Sequence, residues 1–169
     1  MKTENTNYVD YLIELSQNGR KRAFLDLCEI NLKNIFTVAY RLSADYEAAK
    51  KITLKIFFYG WDNIKDYGSN LPFSLWVKNL TVLYAIRELR TLTVPKAPKK
   101  KRESCTSEVE YLESLIMSLP FEERIIFVLH DLEGYTYPEI HDFINDFSVD
   151  EIKTKLINTR EYLIGEVGI

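Results

Sequence analysis

The chain has little of what builds turn-dense or cross-linked folds. Six glycines and five prolines in 169 residues leave few sites for the tight turns of a β-rich fold. Two cysteines, Cys28 and Cys105, make no disulfide framework, and we read both as reduced thiols. The two histidines, His130 and His141, lie eleven positions apart with no thiolate nearby, so no metal-ligand spacing exists and no metal or other cofactor is expected. There is no glycine-rich phosphate loop and no Gly-x-Ser-x-Gly, which removes the usual signatures of nucleotide and acyl chemistry. We expect no enzyme and no small-molecule substrate. Met1 to Arg22 holds no apolar run of signal-peptide length, and no stretch approaches a membrane span. The expectation is a cytoplasmic chain with no membrane partner.

What is present is helical. Apolar residues make up 46% of the chain, enough for a core. Leu25, Cys28, Leu32, Ile35, Ala39 and Leu42 recur at spacings of three and four, one face of a helix. Ser43-Ala44-Asp45 breaks it. A second helix is predicted over 47–61 with two apolar stripes, one of Ala49, Ile52 and Ile56, the other of Leu54, Phe57, Phe58 and Trp61. A helix apolar on two sides is buried on both, or uses one for docking. A loop over 62–72 leads to a helix ending near Arg90, and residues 5–18 add a short helix at the start. Later, Ser107 and Glu110, Thr136 and Glu139, and Ser148 and Glu151 have the spacing of capping boxes. Val109, Leu112 and Ile116 are expected to face inward, as are Ile152, Leu156, Thr159 and Leu163. Pro120 opens one of these helices and Gly134 follows its end. Two short helices joined by a tight turn describe a helix-turn-helix, a unit that usually presents its last helix to DNA.

Charge divides the chain. Residues 1–95 hold 13 Lys/Arg against 10 Asp/Glu, residues 96–102 add five cations, and residues 103–169 hold 4 Lys/Arg against 15 Asp/Glu. Such a split means two domains with different partners, or an acidic domain that pairs with a basic surface. Pro95, Pro98 and Lys99-Lys100-Lys101-Arg102 mark a linker, either a solvated tether or a strap on nucleic acid or an acidic channel. The fold class predicted is all-α: two small helical domains over 1–92 and 107–169, joined by a basic flexible linker over 93–106.

The order of these parts resembles extracytoplasmic-function sigma factors of bacterial RNA polymerase, over about residues 20–165. The phrases that carry the resemblance are Phe24 to Leu27, Ala39-Tyr40-Arg41-Leu42, Phe57 to Trp61, Phe73-Ser74-Leu75-Trp76-Val77, Leu119-Pro120, and Glu133 through Ile140. The family implies a transcription initiation factor with a sigma domain two-like bundle and a sigma domain four-like helix-turn-helix. Its expected partners are RNA polymerase core, promoter DNA and an anti-sigma factor. By position, Lys50, Lys51, Leu54, Lys55 and Phe58 fall on the polymerase-docking helix. Tyr67, Ser69 and Asn70 fall in the loop that holds a flipped minus-ten base, whose unstacking costs a few kcal/mol. Lys78, Asn79 and Arg87 fall on the helix beside the bubble, and Trp61 and Trp76 on the core side. Ser148, Glu151, Lys153, Lys155 and Asn158 fall on the minus-thirty-five helix, with Lys155 and Asn158 suited to base edges and Lys153 to a phosphate.

The chain departs from the family at three places. Lys50, Lys51, Leu54 and Lys55 stand where the family is acidic or amide-bearing, which reverses the charge of a docking face. Asn79, Val82 and Leu83 stand where the family keeps an Arg-x-x-Arg-Asn set, with Lys78, Arg87 and Arg90 as remaining cations. Asp150 and Glu151 open the reading helix, after an Asn145-Asp146 turn one residue longer. Carboxylates suit the helix dipole but face phosphate poorly. Three readings stay open: a working initiation factor; a sigma-like protein whose acidic second domain binds a protein, such as a basic DNA-binding or RNA-guided recruiter; and a helical decoy for anti-sigma factors.

Overall fold

A computed structural model describes residues 2–68, 70–91 and 102–168, without the side chains of residues 2–7. Among the described residues there are eight α-helices and no strand. The first four are α1 (Lys2–Gln17), α2 (Lys21–Ser43), α3 (Tyr46–Asn63) and α4 (Phe73–Thr91). The last four are α5 (Glu108–Ser118), α6 (Phe121–Phe127), α7 (Tyr137–Ile144) and α8 (Val149–Val167), with a π-helical turn, Val128–Leu132, continuing α6. The linker residues 92–101, including Lys99, Lys100 and Lys101, and Ser69 of the loop lie outside the described residues. Arg102 is exposed and pairs with Glu108 at 2.9 Å.

Local chemistry sets the breaks. Ala44 ends α2 in the left-handed region at φ 53°, its N–H donating to Tyr40 O. Asp45 then caps α3, accepting from the Ala48 N–H at 2.7 Å. At α7, the Thr136 N–H and hydroxyl both donate to Glu139, at 2.8 and 2.7 Å, and at α8 Ser148 does the same to Glu151. The box at α5 is displaced: Ser107 caps the Glu110 N–H, but the Glu110 carboxylate reaches back to Thr106. Between α7 and α8, Asn145 takes φ 57°, which its short polar side chain tolerates. His141 Nδ1 donates to Phe147 O at 2.8 Å and holds that turn, so His141 is structural.

The core of α1–α4 is built from Phe24, Leu27, Ile35, Val38, Leu42, Ile52, Ile56, Val77 and Ile86. Leu25 and Leu32, expected in the buried stripe of α2, are instead 57% and 48% exposed; the helix is rotated so that Phe24 and Leu27 point inward. Val109 is also exposed; α5 buries Ile116 as expected and Leu112 in part, and adds Tyr111 and Leu115 to the core. Ile152, Leu156, Thr159 and Leu163 face inward as the spacing requires.

The two helical groups pack on each other, α6 against α2 and α7 against α4. Arg124 is the linchpin. It is 4% exposed and its guanidinium donates to Met117 O, Leu119 O and, across the contact, Leu42 O. Burial pushes its pKa down to about 10.

Candidate functional site

Three surfaces gather the residues singled out by sequence. The first is an apolar groove of about 380 Å³ between α2 and α3, lined by Phe24, Leu25, Cys28, Leu54, Phe57, Phe58 and Trp61, with Lys21 at its mouth. Phe58 is 71% exposed and Leu54 52%, so large apolar side chains stand in water. Lys50 and Lys51 are exposed on the same helix. Lys55 lies over the Tyr84 ring at 5.3 Å, and a hydrogen bond with Tyr84 raises its pKa above the ordinary lysine value. Burial pushes the Cys28 thiol up to about 12, so it is not a nucleophile at neutral pH. Leu25 belongs to this groove, although its spacing alone read as core. Trp61 and Trp76 are partly buried against the core, Trp61 edge-on to Phe24 at 5.4 Å.

The second surface is a cavity of about 470 Å³ at the loop between α3 and α4, reached by Asn70, Leu71, Ser74, Asp10 and Asn31. Tyr67 forms one wall but is 8% exposed. Its ring packs against Phe73 and Trp76, its hydroxyl donates to Leu71 O, and burial raises its pKa. Gln17 of α1 ties the loop from below, donating to Ile64 O and Tyr67 O at 3.2 and 2.9 Å. Tyr67 therefore anchors the loop, and Asn70 is exposed. Asn31 and Asp10 carried no sequence signal; only the fold brings α1 and α2 to this loop.

The third surface is α8 and the turn before it. Ser148 and Glu151 are committed to capping, and hydrogen bonds from the Ser148 backbone and side chain lower the Glu151 pKa. Lys153 pairs with Asp150 at 3.1 Å. Lys155 pairs with Glu122 and Glu123 at 3.1 and 3.3 Å; burial opposes its charge, but these bonds outweigh it and raise its pKa. Asn158 is exposed. Lys153 and Lys155 of α8 are thus already partnered by carboxylates of the same helical group.

The three residues expected beside a promoter bubble, Lys78, Asn79 and Arg87, separate. Arg87 is exposed. Lys78 and Asn79 face α6–α7 instead of solvent: Lys78 Nζ lies 3.3 Å from Glu133 Oε2 and over the Tyr135 ring, and Asn79 Oδ1 accepts from the Tyr135 hydroxyl at 2.7 Å. Arg41 and Arg90 join them, paired with Glu113 and Asp146 at 2.7 and 2.6 Å. Among the described residues, no His, Cys, Asp or Glu cluster is arranged to hold a metal ion, and no helix is long and apolar enough to cross a membrane.

Known proteins share this fold. The family described as Sigma-70, region 4 matches residues 110–140, from α5 into α7. The ECF RNA polymerase sigma factor SigW of Bacillus subtilis (strain 168) is 25% identical over 181 residues, spanning 89% of this chain and 92% of SigW. The chain resembles extracytoplasmic-function sigma factors in sequence and shares their fold. Sigma factor RpoE from Bartonella quintana, solved with the anti-sigma factor NepR, superposes with a TM-score of 0.60 at 12% identity, over 86% of this chain and 97% of RpoE. CnrH, solved with the cytosolic domain of CnrY, gives 0.61 at 18% identity, over 95% and 97%. The sigma-like fold thus spans both helical groups, while the family match stops short of α8.

Proposed function

We propose that this chain is a transcription initiation factor, a binding protein and not an enzyme, that joins RNA polymerase core and helps recognise and melt promoter DNA. One observation carries the reading: the likeness to SigW runs through both helical groups and covers nearly all of each chain. The surfaces fit that role. The groove with Leu54 and Phe58 offers an apolar seat for polymerase, where burying one Leu or Phe side chain is worth about 1.5–3 kcal/mol. The loop cavity at Asn70 is a concave site open to a flipped base. In this reading residues 1–92 form the polymerase- and bubble-binding domain and residues 107–169 the helix-turn-helix domain. The test is co-migration of the chain with polymerase core. Wild type forms a complex; Leu54→Asp with Phe58→Asp abolishes it without unfolding the chain, since both side chains are exposed. A wild-type chain that never binds core defeats the reading.

A second reading is favoured by the state of α8. With Lys153 and Lys155 neutralised by carboxylates and a strong acidic excess over residues 103–169, the helix-turn-helix is better suited to a basic protein than to phosphate. A DNA-binding or RNA-guided recruiter would then replace minus-thirty-five reading, or an anti-sigma factor would hold the chain in reserve. Promoter footprints of reconstituted holoenzyme separate the two: direct reading protects the minus-thirty-five region without any recruiter, whereas a recruiter-dependent chain leaves it open.

A further inference from the structure

A further cavity, of about 640 Å³, lies between α3 and α4 and is lined by Ile56, Tyr59, Leu80, Leu83, Tyr84 and Arg87. Such a volume suits a small molecule, for which sites run about 300–1,000 Å³. Phe143 and Arg90 also line it, and Arg90 is already spent on Asp146 and Ile144 O. Tyr59 is 51% exposed and Leu83 50%, so a ring and an aliphatic side chain face water beside one hollow instead of standing singly.

Charge gathers at the same place. Lys55 lies over the Tyr84 ring at 5.3 Å, next to the cavity. The hydrogen bond with Tyr84 raises its pKa and Glu88 adds to that, while Arg87 works against it, so the two cations stand close enough to repel. Arg87 is exposed and, unlike Arg41, Lys78 and Arg90, pairs with no carboxylate among the described residues. Two tyrosine rings and two neighbouring cations around an apolar hollow are the complement of a molecule that joins a flat ring to an anion.

We propose that the cleft between α3 and α4 binds a free nucleotide, with its base against the Tyr59 ring and its phosphates on Lys55 and Arg87. The site is independent of the initiation reading, since neither its walls nor its ligand requires polymerase. The nucleotide is a ligand and not a substrate. The sequence has no glycine-rich phosphate loop, so side chains alone hold the phosphates and binding is weak and sensitive to salt. Stacking on a ring accepts any base, so the site selects for the phosphate more than for the base.

The test uses the full-length chain with fluorescent ADP, followed by anisotropy and competed with unlabelled ligands. ADP and GDP should compete within about three-fold of each other, because stacking tolerates either base. Adenosine and inorganic pyrophosphate should each compete at least about ten-fold more weakly, since each keeps only the stacking or only the charge-assisted bonds. Tyr59→Ala and Arg87→Gln should each weaken ADP by about ten-fold, the loss of one stacking face or one charged donor. Both side chains are exposed, and circular dichroism verifies that the variants fold. Tyr46→Ala and Arg22→Gln, exposed residues that do not line the cleft, should leave ADP binding unchanged. No binding at about 10 mM ADP overturns the proposal, as does binding that survives both cleft variants. Pyrophosphate that competes as well as ADP reduces the cleft to an anion patch and overturns it too. A 5′-phosphorylated oligonucleotide that binds about ten-fold tighter than ADP, and loses that affinity in both cleft variants, assigns the cleft to a nucleic-acid strand and overturns the free-nucleotide proposal.

Discussion

Arg124→Met removes one guanidinium and tests how the two helical groups are coupled. Methionine keeps an unbranched apolar stem of similar reach, so the loss is chiefly polar. Three buried carbonyls, Met117 O, Leu119 O and Leu42 O, lose donors at 3.2, 2.9 and 3.3 Å. At about 1 kcal/mol for each buried acceptor left unmet, the cost is about 3 kcal/mol. Relief from burying a charge keeps the figure near that lower bound, despite the charged donor. Two of the carbonyls, one in the last turn of α5 and one between α5 and α6, belong to the acidic group, so most of the loss falls there, and the third lies across the contact. Both tryptophans, Trp61 and Trp76, belong to α3 and α4. Urea unfolding followed by tryptophan fluorescence therefore reports the first group, and far-ultraviolet circular dichroism reports both. In the wild type the two curves should coincide. In Arg124→Met the dichroism curve should acquire an earlier transition, lower by about 1.5 M urea for a slope near 2 kcal/mol/M. A loss below about 1 kcal/mol, or two curves that still coincide, would refute the reasoning.

Other expectations follow from single groups. Ser148→Ala should cost about 1 kcal/mol of helix-turn-helix stability by chemical denaturation, because it removes the cap of α8. Bonds from Ser148 and Thr136 hold the Glu151 and Glu139 carboxyls below the ordinary range. At Asp131, burial works upward, but bonds from Arg160 and His130 outweigh it and lower the value. With folded values depressed, their stabilisation is present above about pH 5 and lost as pH falls below about 4, so denaturant midpoints of the last four helices followed by circular dichroism should fall there. Tyr135 is shifted the other way by burial, then by Glu133 and Glu139; its contribution is present below about pH 10 and lost above it, so Tyr135→Phe should make the alkaline loss of stability smaller in a titration followed by circular dichroism. A thiol reagent at pH 8 should modify Cys28 at least ~100-fold more slowly in the folded chain than in urea, as expected for a thiol at about 12.

Features that rest on neighbours three or four residues apart could be read in the sequence. The boxes at Thr136–Glu139 and Ser148–Glu151, the stop at Ala44–Asp45 and the inward face of α8 are of this kind. The same periodicity misplaced Leu25, Leu32 and Val109, because a stripe of apolar side chains looks alike whether it meets a core or stands open as a groove. Tyr67 has the chemistry to hold a base, and only the fold shows that its hydroxyl is spent on Leu71 O. The contact between the groups joins residues far apart in the chain, Arg41 with Glu113 and Lys78 with Glu133, which no local pattern encodes. Its one trace in the sequence is the imbalance of charge between the two halves.

Initiation by a reconstituted holoenzyme tests the central claim most directly. The full-length chain is mixed with polymerase core of its own host and with promoter DNA from that genome, and unpaired thymines are mapped with permanganate. The account predicts reactive thymines at the upstream edge of the bubble and transcripts from a defined start, both lost with Leu54→Asp/Phe58→Asp. Core that yields the same thymine pattern and the same transcripts with and without the chain would contradict it.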